Sequence, residues 1–124
     1  MKIIFGTRGS ALALAQTEQI MALFSALHPA VEAEKKIIKT SGDRDQHSSL
    51  SSLGGWGAFT RELEKELIAG TIDAAVHSLK DLPTEQPEPL TIVAVAARAP
   101  VEDVLLTNED FTLDTLPSGA VVGT

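Results

Sequence analysis

The side chains that could do chemistry gather at three places. The densest is Val76-His77-Ser78-Leu79-Lys80-Asp81-Leu82-Pro83, where an apolar run gives way to His77, Ser78, Lys80 and Asp81. A fixed carboxylate such as Asp81 can stabilise a developing cation, and an ammonium such as Lys80 can hold an anionic substituent. Each residue also has a plain structural reading: Asp81 as a turn former ahead of Pro83, Lys80 as a solvated side chain. His77 reads as a hydrogen-bonded core residue, because no second His or Cys stands at metal-ligand spacing from it.

The second place is Thr7-Arg8-Gly9-Ser10, between a predicted strand and a predicted helix. Backbone amides at a helix start face an incoming anion, and the helix dipole assists them. Arg8 would add a planar, permanently charged fork that matches a carboxylate or a phosphate. The alternative is an ordinary N-cap beside a surface arginine. The third place is the stretch from Thr40-Ser41-Gly42-Asp43 to Gly54-Gly55-Trp56-Gly57-Ala58-Phe59. Its glycines permit sharp turns and close backbone approach. Trp56 reads either as a lid residue or as an anchor for the loop. The order and spacing of these glycines do not make the dinucleotide fingerprint, which needs a preceding strand.

The elements that must carry these groups follow from periodicity. Lys2 to Gly6 is predicted as a short buried strand. A helix should run from Ser10, its predicted N-cap, to about Leu27, with Ile20, Leu23, Phe24 and Leu27 on one face and Pro29 marking its stop. Val31 to Ile38 is predicted as a second strand. The serine- and glycine-rich residues 41 to 57 read as a long, mobile loop. Phe59, Leu63 and Leu67 then recur at helical spacing, predicting a helix from about Ala58 to Ala69 that Gly70 stops. Ile72 to Val76 should be a third strand, and Leu90 to Ala97 a fourth, fully buried one. Asp103 to Leu106 and Ala120 to Gly123 are predicted as further strands, separated by a turn at Pro117, Ser118 and Gly119. Strands alternating with helices favour an α/β domain with a parallel sheet.

Composition narrows the function classes. The chain of 124 residues carries a formal net charge of −7, which argues against a generic nucleic-acid binder. An anionic ligand would have to be held by a few focused cations and backbone amides rather than by the overall field. There are no cysteines, so neither disulfides nor thiolate chemistry can arise within these residues. The N-terminus lacks signal-peptide architecture, and the apolar run from Ile92 to Ala97 is too short to span a membrane. A soluble, cytoplasmic protein is expected. His28, His47 and His77 are scattered, and no Ser/His/Asp set has recognisable local context.

Taken together and in order, these segments resemble the porphobilinogen deaminase (hydroxymethylbilane synthase) family. Thr7-Arg8-Gly9-Ser10 with Leu12, Ala13, Leu14 and Gln16 resembles its opening motif, and Thr40-Ser41-Gly42-Asp43 a loop start. Gly54-Gly55, Gly57, Phe59, Glu62, Leu63 and Glu64 resemble its loop-to-helix segment. Asp73, Ala75 and the stretch from Val76 to Pro83 resemble its most diagnostic region, and Leu116-Pro117, Gly119, Val122, Gly123 and Thr124 the entry to a second domain. Trp56 stands where many members carry a basic residue, and Glu102 where an arginine ahead of Asp103 is common.

The resemblance implies a transferase of tetrapyrrole, including heme, biosynthesis. Such enzymes condense four porphobilinogen units into hydroxymethylbilane with release of ammonia, on a dipyrromethane cofactor attached to a cysteine. It implies Asp81 as the catalytic carboxylate beside the pyrrole nitrogens. Arg8, Ser10, Ser78, Lys80 and Thr124 would contact cofactor or substrate, with Phe59 and Trp56 as candidate loop contacts. The bottom-up reading agrees, since loss of ammonia leaves an electron-poor azafulvene cation that a fixed carboxylate stabilises. The implied fold is like that of type II periplasmic-binding proteins, with domain 1 over residues 1–98 and residues 99–124 as hinge and start of domain 2. The cofactor's cysteine is not among these residues. The chain is therefore expected to be an incomplete, inactive N-terminal part that is free to self-associate, while the full-length enzyme is expected to be a monomer with no nucleic-acid or membrane partner. The rival reading is a non-catalytic binder of small anions on the same fold.

Overall fold

A computed structural model describes residues 1–40, 43 and 59–123. Its elements are β1 (Lys2–Thr7), α1 (Ala11–Leu27), β2 (Glu32–Ile37), α2 (Arg61–Ile68) and β3 (Ala74–Ala75), with short 3-10 turns at Leu79–Asp81 and Leu113–Thr115. The three strands form a parallel sheet in the order β2-β1-β3. β1 is central, pairing with β2 from Lys2↔Glu32 to Thr7↔Ile37 and with β3 at Phe5↔Ala74 and Gly6↔Ala75. This is the predicted α/β arrangement, in which crossover segments carry helices between parallel strands.

Alternation along β1 sends neighbouring side chains to opposite faces. Ile4 packs on the cluster of Ile38, Leu63 and Ile72 that α2 helps to enclose. Phe5 points the other way and meets Phe24 of α1 edge-on, with ring centroids 5.4 Å apart. Gly6 returns to the first face, where a Cβ would lie 2.3 Å from Ile72 Cδ1 and 3.2 Å from Ile38 Cδ1. Any side chain here would force Ile72 to shift.

The helix ends follow local chemistry. Ser10 caps α1 as predicted, its hydroxyl accepting from the Ala13 amide at 3.3 Å. α2 begins at Arg61, a few residues later than the spacing suggested, and ends in a Schellman turn. There the Gly70 amide donates to the Leu67 carbonyl and the Thr71 amide to the Glu66 carbonyl, with Gly70 at φ 68°.

Several expectations are corrected. Leu23 and Leu27 do not face the core but are 58% and 76% exposed; the inward side of α1 runs through Thr17, Ile20 and Phe24. The helix is apolar on more than one side, so spacing alone fitted several faces. The third strand shrinks to two residues, although Asp73 and Val76 still donate to the carbonyls of Ile4 and Gly6. Leu90 to Ala97 is neither a strand nor buried, with Val93 84% exposed. Asp103 to Leu106 and Ala120 to Gly123 form no strands either. β-Branched composition marks a segment fit for a sheet, but a strand also needs a paired edge, and no described residue supplies one. The turn at Pro117–Ala120 does form, closed by the Ala120 amide on the Pro117 carbonyl with Gly119 at φ 83°. The predicted loop over residues 41 to 57 lies, apart from Asp43, outside the described residues.

Candidate active site

Arg8 follows the last residue of β1, and Ser78, Lys80 and Asp81 follow β3 by three to six residues. Both segments leave the carboxyl edge of a parallel sheet, where open α/β folds place ligands. Parallel pairing of β1 with β3 therefore brings the first two sequence constellations together. They line one cavity of about 490 Å³ with Ser10 and Phe59.

Arg8 is held on several sides. The Thr17 hydroxyl donates to the Ala13 carbonyl and lies 2.8 Å from the Thr7 hydroxyl. Both threonines are fully buried, so they pin the start of α1 to the end of β1 and fix where Arg8 leaves the sheet. Its guanidinium then stacks on Phe59, with Cζ 4.0 Å from the ring centroid. Nη2 donates to Asp43 Oδ1 at 2.7 Å, and Nε lies 3.3 Å from both Asp43 oxygens. Nη1 reaches Asp81 Oδ2 at 3.5 Å. Arg8 is thus set between two carboxylates, in surroundings that leave its side chain only 16% exposed.

Asp43 is itself anchored. Thr40, fully buried just beyond β2, donates its hydroxyl to Asp43 Oδ2 at 2.7 Å and accepts from the Asp43 amide at 3.3 Å. Burial raises the Asp43 carboxyl pKa, but hydrogen bonds from Arg8 and Thr40 and the charge of Arg8 outweigh it and leave the group below its ordinary value. Ser78 donates to Gln16 Oε1 at 3.1 Å, tying the turn after β3 to α1.

His77 is half-buried and lines the cavity rather than sitting in the core. Its ring forms no hydrogen bond among the described residues, which corrects the predicted hydrogen-bonded core residue. Burial chiefly lowers its pKa, helped by the Arg8 charge and opposed by Asp81 and Glu64. Lys80 is exposed at the rim, where its ammonium can reach a ligand without first breaking a buried pair. Leu12, Ala13 and Val76 add apolar wall. The cavity thus sets two cations and two hydroxyls beside one carboxylate and an apolar wall.

Of the site residues expected from sequence, Arg8, Ser10, Ser78, Lys80, Asp81 and Phe59 come together. Trp56 and Thr124 lie outside the described residues. The roles of Thr40 and Asp43 as anchors of Arg8 were not foreseen. Their only local signal is a threonine three residues ahead of an aspartate, a spacing common in turns.

Comparison with known proteins gives a consistent family. A family model described as "Porphobilinogen deaminase, dipyromethane cofactor binding domain" matches residues 3–124. The porphobilinogen deaminase of Syntrophus aciditrophicus is 51% identical over 100% of this chain, which covers 40% of that protein. That of Clostridium novyi is 46% identical, again over 100% of this chain and 42% of the relative. The probable porphobilinogen deaminase of Methanosarcina acetivorans is 53% identical over 98% of this chain and 38% of its own length. The chain spans about 40% of the length of the curated relatives it matches.

Proposed function

The chain belongs to the porphobilinogen deaminase family, and we propose that it supplies the pyrrole-binding cavity and the catalytic carboxylate, Asp81, of such an enzyme. The reaction is the condensation of four porphobilinogen units into hydroxymethylbilane with release of ammonia, a transferase step of tetrapyrrole biosynthesis. The observation that carries the reading is the meeting of Arg8 and Asp81 at one cavity beside Lys80 and two serine hydroxyls.

The residues divide the work by charge. Arg8 and Lys80 attract the acetate and propionate groups. Ser10, whose hydroxyl only accepts among the described residues, offers its proton to the same oxygens, and Ser78 would do so by exchanging its bond to Gln16. Asp81 accepts from the pyrrole N–H. As the substrate's C–N bond breaks and ammonia departs with the bonding pair, positive charge spreads into the pyrrole ring. A carboxylate fixed beside that nitrogen lowers the barrier by stabilising the charge where it develops. Phe59 and the apolar wall limit access of water, which would otherwise compete for the cation.

The same residues fit the dipyrromethane cofactor that the family name carries, because it presents the carboxylates and pyrrole N–H groups this cavity matches. When bound, it supplies the pyrrole carbon to which the first substrate unit is joined. Arg8, Ser10, Ser78, Lys80 and Asp81 would hold it. With no cysteine among the 124 residues, its covalent attachment lies outside them.

The parallel sheet is read further as part of a domain like those of type II periplasmic-binding proteins, spanning residues 1–98, with residues 99–124 as hinge and start of a second domain. In support, regular structure before residue 82 gives way to exposed, unpaired chain after Leu90. A cytoplasmic location and a monomeric complete enzyme belong to the same reading.

The test is a chimaera carrying these residues in place of the matching segment of the Syntrophus relative, assayed with porphobilinogen for uroporphyrin after oxidation. Turnover that depends on Asp81 is expected. Porphobilinogen binding with no turnover would favour a non-catalytic anion binder instead.

A further inference from the structure

Two carboxylates compete for one half-buried guanidinium, and the geometry shows which has won. Asp43 takes the Nε–Nη2 edge of Arg8, with its shortest contact at 2.7 Å. Asp81 has a single contact at 3.5 Å, the outer limit of a hydrogen bond. We propose that Asp43 is a positioning residue: by holding the Nε–Nη2 edge of Arg8, it keeps the guanidinium from closing on Asp81 and leaves the Asp81 carboxylate available to the ligand.

Three observations make Asp43 a fixed anchor rather than a chance partner. Thr40, itself fully buried, holds Asp43 through both its hydroxyl and the Asp43 amide. Phe59 covers one face of the guanidinium, so Arg8 can turn only within a narrow range. The edge that Asp43 takes is the side-on one, which leaves Nη1 directed at Asp81 and the cavity. Without Asp43, the nearest strong acceptor for Arg8 is Asp81. A tight Arg8–Asp81 pair would then occupy the oxygens that must face the pyrrole nitrogen, and Arg8 would have less to offer a substrate carboxylate. His77, Lys80 and Glu64 also bear on this region, but none of them forms a hydrogen bond to Arg8 among the described residues.

This inference rests on the proposed role of Asp81, so its test is divided. In the chain itself, long-range nitrogen–carbon NMR correlations should link Arg8 Nε–H to the Asp43 carboxyl carbon and not to that of Asp81. In Asp43→Asn, the Arg8 correlations should move to Asp81. Arg8 Nε–H already correlating with Asp81 in the unaltered chain, or staying in place in a folded Asp43→Asn, overturns the proposal. Should that variant fail to fold, the measurement on the unaltered chain still decides. In the chimaera, Asp43→Asn should lower kcat about tenfold with a smaller change in KM, and Asp43→Glu should restore part of it. The Asn substitution should cost nothing further in an Arg8→Gln background, whereas a merely structural Asp43 would give additive losses. A chimaera inactive even when unaltered would count against the proposed activity while leaving the NMR result to judge Asp43.

Discussion

Arg8 and Asp81 lie 73 residues apart in the chain and meet at 3.5 Å across the carboxyl edge of the sheet. Their meeting follows from the parallel pairing of β1 with β3, which sets Gly6 opposite Ala75 and so brings the two following loops alongside each other. A guanidinium thereby stands beside a carboxylate at the wall of one cavity.

Asp81→Asn should keep the shape and remove the charge. A carboxylate about 4 Å from a developing cation contributes at most roughly 4 kcal/mol at an effective dielectric near 20. Steady-state assay of the chimaera should therefore show kcat falling by up to about a thousandfold, with unfolding midpoints little changed. Near-normal turnover would remove Asp81 from the mechanism.

Arg8→Lys keeps the charge but gives up the planar fork that spans Asp43 and the cavity. Calorimetric titration with porphobilinogen should show affinity weakened about 10- to 100-fold, as expected for the loss of one charge-assisted hydrogen bond. Equal affinity for the two chains would mean that the fork is not used by the ligand.

Gly6→Ala places a methyl group against Ile72 and Ile38, both buried. Overpacking of this kind costs about 1–3 kcal/mol, which urea denaturation would register as a lower midpoint. An unchanged midpoint would show that Ile72 turns aside freely.

The depressed His77 pKa gives a pH dependence of stability. The unfolded chain binds its proton more readily than the folded one, so stability is fully present above the ordinary value of 6.5 and declines as pH falls through the folded value. Asp43, also depressed, adds a second loss of the same sign below its ordinary value of 3.8. Urea midpoints should fall between pH 7.5 and pH 5.5, and His77→Gln should flatten that part of the profile. A slope unaffected by His77→Gln would assign the effect to other groups.

Without a cysteine, these 124 residues offer no thiol for a pyrrole adduct. Intact-mass measurement after incubation with porphobilinogen should show the chain at its starting mass, and the chain alone should give no hydroxymethylbilane. A stable added mass of pyrrole units would show another attachment chemistry.

The sequence by itself determined the local features, because these depend on neighbours in the chain. Ser10 as the cap of α1, Gly70 as the stop of α2 and the turn at Gly119 follow from backbone preferences a few residues wide. The motifs around Arg8 and Asp81 were legible for the same reason, as polar groups where apolar runs end. What it could not decide was how these groups hold one another. Only the tertiary structure set Arg8 between Asp43 and Asp81, because that depends on the register of β1 with β3 and on the hold of Thr40 on Asp43. Only the tertiary structure, too, left Leu90 to Ala97 unpaired. Its composition suits a strand, but a strand exists only against a partner, and pairing is a non-local event that composition does not encode.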